Sequence, residues 1–277
     1  MLRTRVLTAL ALLPLVLGML FLAPAKAWLA FACAIALVAF WEWSRLCGFA
    51  ASARLLYLVL CALGTAAFAL ACLQAPAAVF ANISQAAFIA AAYFWCFGVP
   101  AWLALGLKPE PWARGAAGWL VLWPFLAALV TLREASPWVL LAAAALVWVA
   151  DIAAYFSGRA FGRRKLAPSV SPGKTWAGVY GALAGVLAYG VVLDFLAHSR
   201  AGPLTRLFDD PWGLVTLSAM AVLTAFSVLG DLFESWMKRC AGVKDSSGLL
   251  PGHGGVLDRI DALTSTLPVA ALLAALA

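Results

Sequence analysis

DLFESWMKRCAGVKDSSGLLPGHGGVLDRID, running from Asp231 to Asp261, is the polar stretch around which an otherwise apolar chain is organised. Its 31 residues hold five of the twelve acids, together with Lys238, Arg239, Lys244, Arg259 and one of the two histidines. Apolar runs flank it on both sides. A charge at the centre of a bilayer span costs about 2.5–3.5 kcal/mol, so charges gathered this close to a membrane are usually functional. The stretch therefore reads as the working site and its flanks as membrane spans.

Working outward, the chain of 277 residues is 65% hydrophobic and 11% charged, with a mean hydropathy of +0.98. A soluble domain carries about a quarter charged residues, so the chain reads as an all-α polytopic membrane protein. A span needs about 20 apolar residues. Nine stretches qualify, at approximately 6–24, 27–43, 55–75, 84–106, 113–132, 137–157, 176–198, 212–233 and 257–276. Pro100, Pro109, Pro111 and Pro124 interrupt the pattern, so boundaries are least sharp over 100–135. Arg3, Arg5, an apolar run and Ala25-Lys26-Ala27 imitate a signal peptide. That run is longer than the usual h-region and another span follows at once, so an uncleaved first span is expected. Residues 1–135 form a set of N-terminal membrane helices, and 136–277 a C-terminal catalytic membrane region.

Alternating spans would put fourteen of the nineteen basic residues on one side, with only Lys26, Arg133, Arg200 and Arg206 opposite. By the positive-inside rule the N-terminus and both polar loops are then cytoplasmic. The net charge of +7 is spread over these short loops. It reads as topology-setting charge meeting anionic headgroups, not as a nucleic-acid surface. His198 and Asp194 fall on the far side as interfacial and helix-end residues, and Trp28 and Trp138 as interfacial belt residues. The six cysteines show no C-x-x-C and read as small buried hydrophobes, neither a disulfide framework nor a zinc site.

A second polar loop, 151–176, faces the same compartment. Its Ser171-Pro172-Gly173-Lys174-Thr175 reads as a turn delivering a lysine and two hydroxyls. It is not a Walker A loop, because the spaced first glycine is missing. Within the main stretch, Asp231, Ser235 and Lys238 would share a helix face, as would Asp258 and Asp261. Bringing the two helix ends together would place Asp231 near Asp258. Paired carboxylates without His or Cys partners suit a hard cation, Mg²⁺ before Zn²⁺. The competing reading is that these acids only pair with Lys238, Arg239 and Arg259. Pro251-Gly252-His253-Gly254-Gly255 precedes a helix start, where free backbone N–H groups would form an anion site. The cations nearby suggest a ligand with several phosphates.

Ser235-x-Met237-Lys238-Arg239-x4-Lys244-Asp245-x-Ser247-x2-Leu250-Pro251-x-His253-Gly254-Gly255-Val256-x-Asp258-Arg259-Ile260-Asp261 resembles the signature of the phosphatidate cytidylyltransferases, or CDP-diacylglycerol synthases. Asp151-x2-Ala154-Tyr155-x2-Gly158, Ser171–Trp176 and Gly230-Asp231-x2-Glu234-Ser235 resemble further conserved blocks of that family. One departure is Ala177, where the family commonly carries Glu or Gln before the glycine. The likeness of motif covers roughly 150–261; the N-terminal half matches only in hydropathy.

The resemblance implies transfer of CMP from CTP to phosphatidic acid, giving CDP-diacylglycerol and pyrophosphate at a bacterial inner membrane. A phosphomonoester is largely dianionic at pH 7, so charge neutralisation and positioning matter more than a strong base. Asp231 and Asp258 are the expected Mg²⁺ ligands, assisted by Asp261 or Asp245. Lys174, Lys238, Arg239 and Lys244 are expected to neutralise phosphates, and Arg259 and His253 to fix phosphatidate or the metal ligands. Ser171, Thr175, Gly254 and Gly255 complete the nucleotide-binding set. The resemblance also suggests a homodimer and a second, monovalent cation. The rivals are a CTP-dependent polyprenol kinase, against which the long signature argues, a synthase acting on an archaeal-type lipid, an inactive scaffold, which predicts loss of acids that are all present, and a transporter. A transporter would be expected to show two repeated halves with broken helices, and the sequence displays no such repeat.

Overall fold

In the computed structural model, residues 2–198 and 214–276 are described. The side chains of Arg3, Arg5, Asp194 and His198, and the whole of Arg200 and Arg206, lie outside the described residues. The elements are α1 (Leu2–Leu22), α2 (Ala25–Leu46), α3 (Ala51–Gln74), α4 (Ala77–Tyr93), a π-helical turn (Phe94–Gly98), α5 (Val99–Leu105), α6 (Pro111–Ala135), α7 (Pro137–Phe161), β1 (Lys165–Ala167), β2 (Ser171–Thr175), α8 (Trp176–His198), α9 (Leu214–Cys240) and α10 (Leu257–Leu276). With α4, the π turn and α5 taken as one helix, every expected span has its counterpart. Among the described residues, eight of these helices are long and apolar enough to cross a membrane; in α1 the apolar stretch is Leu10–Leu22. The chain is an integral membrane protein.

The prolines that blurred the pattern have distinct local causes. Pro111 and Pro137 sit at helix starts, where a missing N–H costs nothing. Pro100 follows the π turn, which absorbs the backbone bond that proline cannot make. Fourth in the row of spans, the α4–α5 helix also starts earlier than its sequence pattern, at Ala77 instead of 84.

Helix α6 lies at the centre, the most buried of the spans. Its Gly118 has no room for a side chain, because a Cβ there would lie 2.6 Å from the Tyr57 hydroxyl. The small face admits large rings whose polar ends bond α6 carbonyls: Trp43 Nε1 to Arg114 O at 2.9 Å and Tyr57 Oη to Gly115 O at 3.2 Å. Trp28 is buried in the same way, bonding Leu129 O at 3.1 Å, so it is a core residue and not the expected belt residue. Trp138 is exposed. One buried cluster runs from α1 to α10 and crosses residue 135, so both halves share a core.

Two close pairs of helices carry the polar residues. Helices α7 and α8 meet along small residues; a Cβ on Gly178 would stand 3.1 Å from Ala154 O, and one on Gly185 2.6 Å from Ala153 Cβ. Helices α9 and α10 form an antiparallel pair pinned by Ser265 Oγ donating to Phe226 O at 2.7 Å. Between α7 and α8 the loop is an antiparallel hairpin, with Lys165 opposite Thr175 and Ala167 opposite Ser171. Ser171–Thr175 is therefore a strand, not the expected turn, and the turn is 168–170. A two-stranded ribbon leaves one edge of β2 unpaired, which tolerates Pro172.

Candidate active site

A cavity of about 510 Å³ opens between α7, the hairpin, α8 and α9. Its walls are mostly apolar (Ala150, Ala154, Leu166, Val179, Ala182 and Val228), and its polar groups include Asp151, Lys174 and Asp231. Lys174 Nζ lies 2.7 Å from Asp231 Oδ2, and Ser235 Oγ donates to Asp231 Oδ1 at 3.2 Å, one helical turn along α9. Both partners of the ion pair are partly exposed, at 23% and 32%, so it is reachable by a ligand. Thr175 Oγ1 accepts from Gly178 N at 3.1 Å and caps α8, which fixes the strand carrying Lys174. At the rim, Arg159 Nη1 donates to Tyr155 Oη at 3.2 Å.

A second polar cluster lies where α9 ends and α10 begins. Lys238 Nζ bridges Glu234 Oε2 at 2.5 Å and Asp258 Oδ1 at 2.7 Å. Asp258 also accepts from Ser246 N at 3.0 Å, Ser246 Oγ at 2.9 Å and Gly255 N at 2.7 Å, all through Oδ2. The last bond is the returning half of a capping box, from a residue three positions into the motif to the N–H before the helix. Glu234 is 3% exposed, and its Oε1 has no hydrogen-bond partner.

The other carboxylate at this helix start is Glu42, from α2. It is fully buried and accepts from Ser247 Oγ at 2.5 Å, Leu257 N at 2.6 Å and Val256 N at 3.0 Å, with Ser246 Oγ 3.3 Å away. The N–H of Gly255, which the sequence offered to a phosphate, is held by Asp258, and those of Val256 and Leu257 by Glu42. Gly254 keeps its special backbone, with φ +80°, and a Cβ on it would lie 2.7 Å from Asp258 Oδ2. Of the expected phosphate seat, the Gly255 N–H is taken by the protein's own Asp258.

Asp231 and Asp258 engage different cations, Lys174 and Lys238. A Cβ on Gly230 would lie 2.7 Å from Asp261 O and 3.0 Å from Ala262 Cα. That contact sets the register, so Asp231 sits level with Asp261, and Asp258 meets Lys238 instead. Asp258 lies three residues before Asp261 along α10, a rise of about 4.5 Å at 1.5 Å per residue. Asp261 Oδ1 accepts from Ala262 N at 2.7 Å. Asp258 pairs with Lys238, one of the three cations the pairing reading named, while Asp231 pairs with Lys174, which it did not name.

The remaining candidates are more peripheral. Arg239 is exposed and reaches Val170 O in the hairpin turn at 3.5 Å. Lys244 and Asp245 are exposed on the loop after Cys240, and Ser171 is half-buried in β2. Arg259 donates to the His253 carbonyl from Nε at 2.9 Å and Nη2 at 2.6 Å, while His253 Nδ1 is buried without a partner. Thr8 Oγ1, from α1, donates to Pro251 O at 3.0 Å and ties the first helix to this loop.

Glu42, Glu234 and Asp151 were not among the expected site residues. Each is an acid inside an apolar span, and that alone was a signal of function. Among the described residues, no three His, Cys, Asp or Glu side chains gather into a cation cage. Mg²⁺, however, is typically bound by one or two carboxylates plus substrate phosphates. Asp151 and Asp231, the two acids lining the cavity, fit that donor set.

Comparison with known proteins shows the family of the chain. Residues 3–277 match the family model described as the cytidylyltransferase family. The chain is 40% identical over 280 residues to the phosphatidate cytidylyltransferase of Pseudomonas aeruginosa, covering 99% of this chain and 97% of that one. It is 57% identical over 125 residues to the phosphatidate cytidylyltransferase of Haemophilus influenzae, covering 44% of this chain and 41% of that one. With the protein of the same name from Staphylococcus epidermidis it shares 40% identity over 124 residues, 45% of this chain and 44% of that one.

Proposed function

This chain belongs to the cytidylyltransferase family, and we propose that it is the membrane enzyme that transfers CMP from CTP to phosphatidic acid. In that reaction a phosphate oxygen of phosphatidic acid attacks the α-phosphorus of CTP. The bond from that phosphorus to the bridging oxygen breaks, and pyrophosphate leaves with the electron pair. The carrying observation is the cavity itself: an ion pair and a second carboxylate set among apolar walls inside the spans. Such a site suits a lipid with a phosphate head, whose tails lie along apolar helix surface.

Lys174 would meet phosphate oxygens from the hairpin, a role supported by its partly exposed ion pair with Asp231. Lys238, braced between Glu234 and Asp258, presents a second fixed cation at the loop end of α9. Arg239 and Lys244 are exposed cations on the same side, suited to the triphosphate and the leaving pyrophosphate. Asp231 and Asp151 would hold Mg²⁺, with Asp261 behind Asp231. Bound there, the cation would neutralise phosphate charge and orient the leaving group. Asp258, saturated by protein donors, acts through Lys238 in this reading.

In the same reading the active site faces the cytoplasm of a bacterial inner membrane, where the excess of basic loop residues points. The functional unit is taken as a homodimer, which sedimentation of the detergent-solubilised protein would test. The test of function is transfer of label from α-phosphate-labelled CTP into lipid. Label in the lipid phase that requires phosphatidic acid supports the transferase. Phosphorylation of a lipid alcohol from γ-labelled CTP would favour a kinase instead.

A further inference from the structure

Glu42 has no place in the signature and none in the cavity, yet it is among the most thoroughly bonded acids in the protein. It is fully buried; the Ser247 hydroxyl and the N–H groups of Val256 and Leu257 donate to it, and the Ser246 hydroxyl, whose hydrogen goes to Asp258, lies 3.3 Å away. Those N–H groups belong to the entry of α10, where the first N–H groups of a helix have no partner within it. None of these groups is a cation; the positive end of the helix and the hydroxyls take that part. A residue more than 200 positions earlier in the chain thus caps α10 from outside.

The same groups reach the reacting region in one further step. Ser246 lies between the two acids, its hydroxyl 3.3 Å from Glu42 Oε2 and 2.9 Å from Asp258 Oδ2. Gly255 stands directly over the Glu42 carboxylate; a Cβ there would lie 2.8 Å from Glu42 Cδ. The glycine is required because Glu42 fills the space a side chain would use, and its N–H is free to bond Asp258. Asp258 in turn holds Lys238. The contacts run unbroken from α2 through the loop to the ammonium group proposed to face the phosphates.

We propose that Glu42 is a positioning residue for the reaction: the α2 carboxylate that locks the 246–257 segment and thereby sets Asp258 and Lys238. The proposal rests on the transferase reading of Lys238 and Asp258. Its consequence is a specific pattern of loss. Misplacing a reacting group by about 1 Å can cost on the order of 100-fold in rate. Glu42→Gln keeps the shape but turns an amide NH₂ toward a cluster of donors, so the loop cannot be held as before.

The test uses the full chain in detergent. Glu42→Gln is expected to elute as wild type, with kcat lowered about 10–100-fold and KM for CTP within about threefold. Hydrogen exchange should accelerate in peptides covering 246–257 and stay at the wild-type rate in α3 and α7. A kcat within about threefold of wild type overturns the proposal. So does faster exchange throughout the protein with kcat and KM changing together, which is the mark of general destabilisation. If Glu42→Gln does not yield folded protein, Ser247→Ala decides, since it removes only the 2.5 Å donor. It should lower kcat a few-fold and loosen the same segment; wild-type kcat and exchange in Ser247→Ala would sink the idea. Should the wild type fail to consume CTP with phosphatidic acid, the transferase reading fails. The exchange comparison would still report whether Glu42 holds the loop.

Discussion

Replacing Lys238 with Met isolates what the buried ion triad contributes. The ammonium stands between Glu234 and Asp258, with side-chain exposures of 14%, 3% and 7%. Asp258 has three other donor contacts to fall back on, from Ser246 and Gly255. Glu234 has none: Oε1 lacks a partner already and Oε2 faces only Lys238. Removing one member of a buried pair typically costs about 3–5 kcal/mol, because the charge left behind is uncompensated. Lys238→Met should therefore lose about 3–5 kcal/mol, most of it through Glu234. The double variant Lys238→Met/Glu234→Gln should recover a large part, since a neutral amide no longer strands a charge. Reversible unfolding in mixed detergent micelles, read by tryptophan fluorescence, measures both. A loss below about 1 kcal/mol in the single variant, the size expected of an exposed pair, would refute the reasoning. So would a double variant no more stable than the single one.

Two further outcomes follow from the geometry. Gly230→Ala places a methyl 2.7 Å from Asp261 O and 3.0 Å from Ala262 Cα; both are backbone atoms, so α9 and α10 must part. Overpacking of this kind costs about 1–3 kcal/mol, measurable as a lowered unfolding midpoint with reduced turnover. Lys174→Met breaks an ion pair that is partly exposed. Stability should change by less than about 1 kcal/mol, while KM for CTP should rise about tenfold or more through the lost charge-assisted contact, seen in steady-state kinetics.

How far the sequence reached can be judged residue by residue. The spans were legible because hydropathy over twenty residues is a local property, and the bilayer makes it decisive. Lys238 and Asp258 could be marked as candidates because one polar motif, Ser235–Asp261, carries both. Their mutual pairing, and the level of Asp231 against Asp261, depended on how close Gly230 lets α10 approach. That is a contact between helices and leaves no periodic trace. Ser171–Thr175 read as a turn because Pro172 and Gly173 are breakers, yet the unpaired edge of a two-stranded ribbon tolerates both. Glu42 was least visible. Its partners lie 204 to 215 residues away, and only the oddity of an acid within an apolar span marked it.

The account stands most directly on Asp231 and the cavity it shares with Lys174 and Asp151. The deciding measurement is pyrophosphate release by the purified protein in detergent, given CTP and phosphatidic acid, with and without Mg²⁺, for wild type and Asp231→Asn. The account predicts release that requires both substrates and the metal, and a fall of at least about 100-fold in a variant that still folds. Release that is independent of phosphatidic acid, or a folded Asp231→Asn variant as active as wild type, would contradict it.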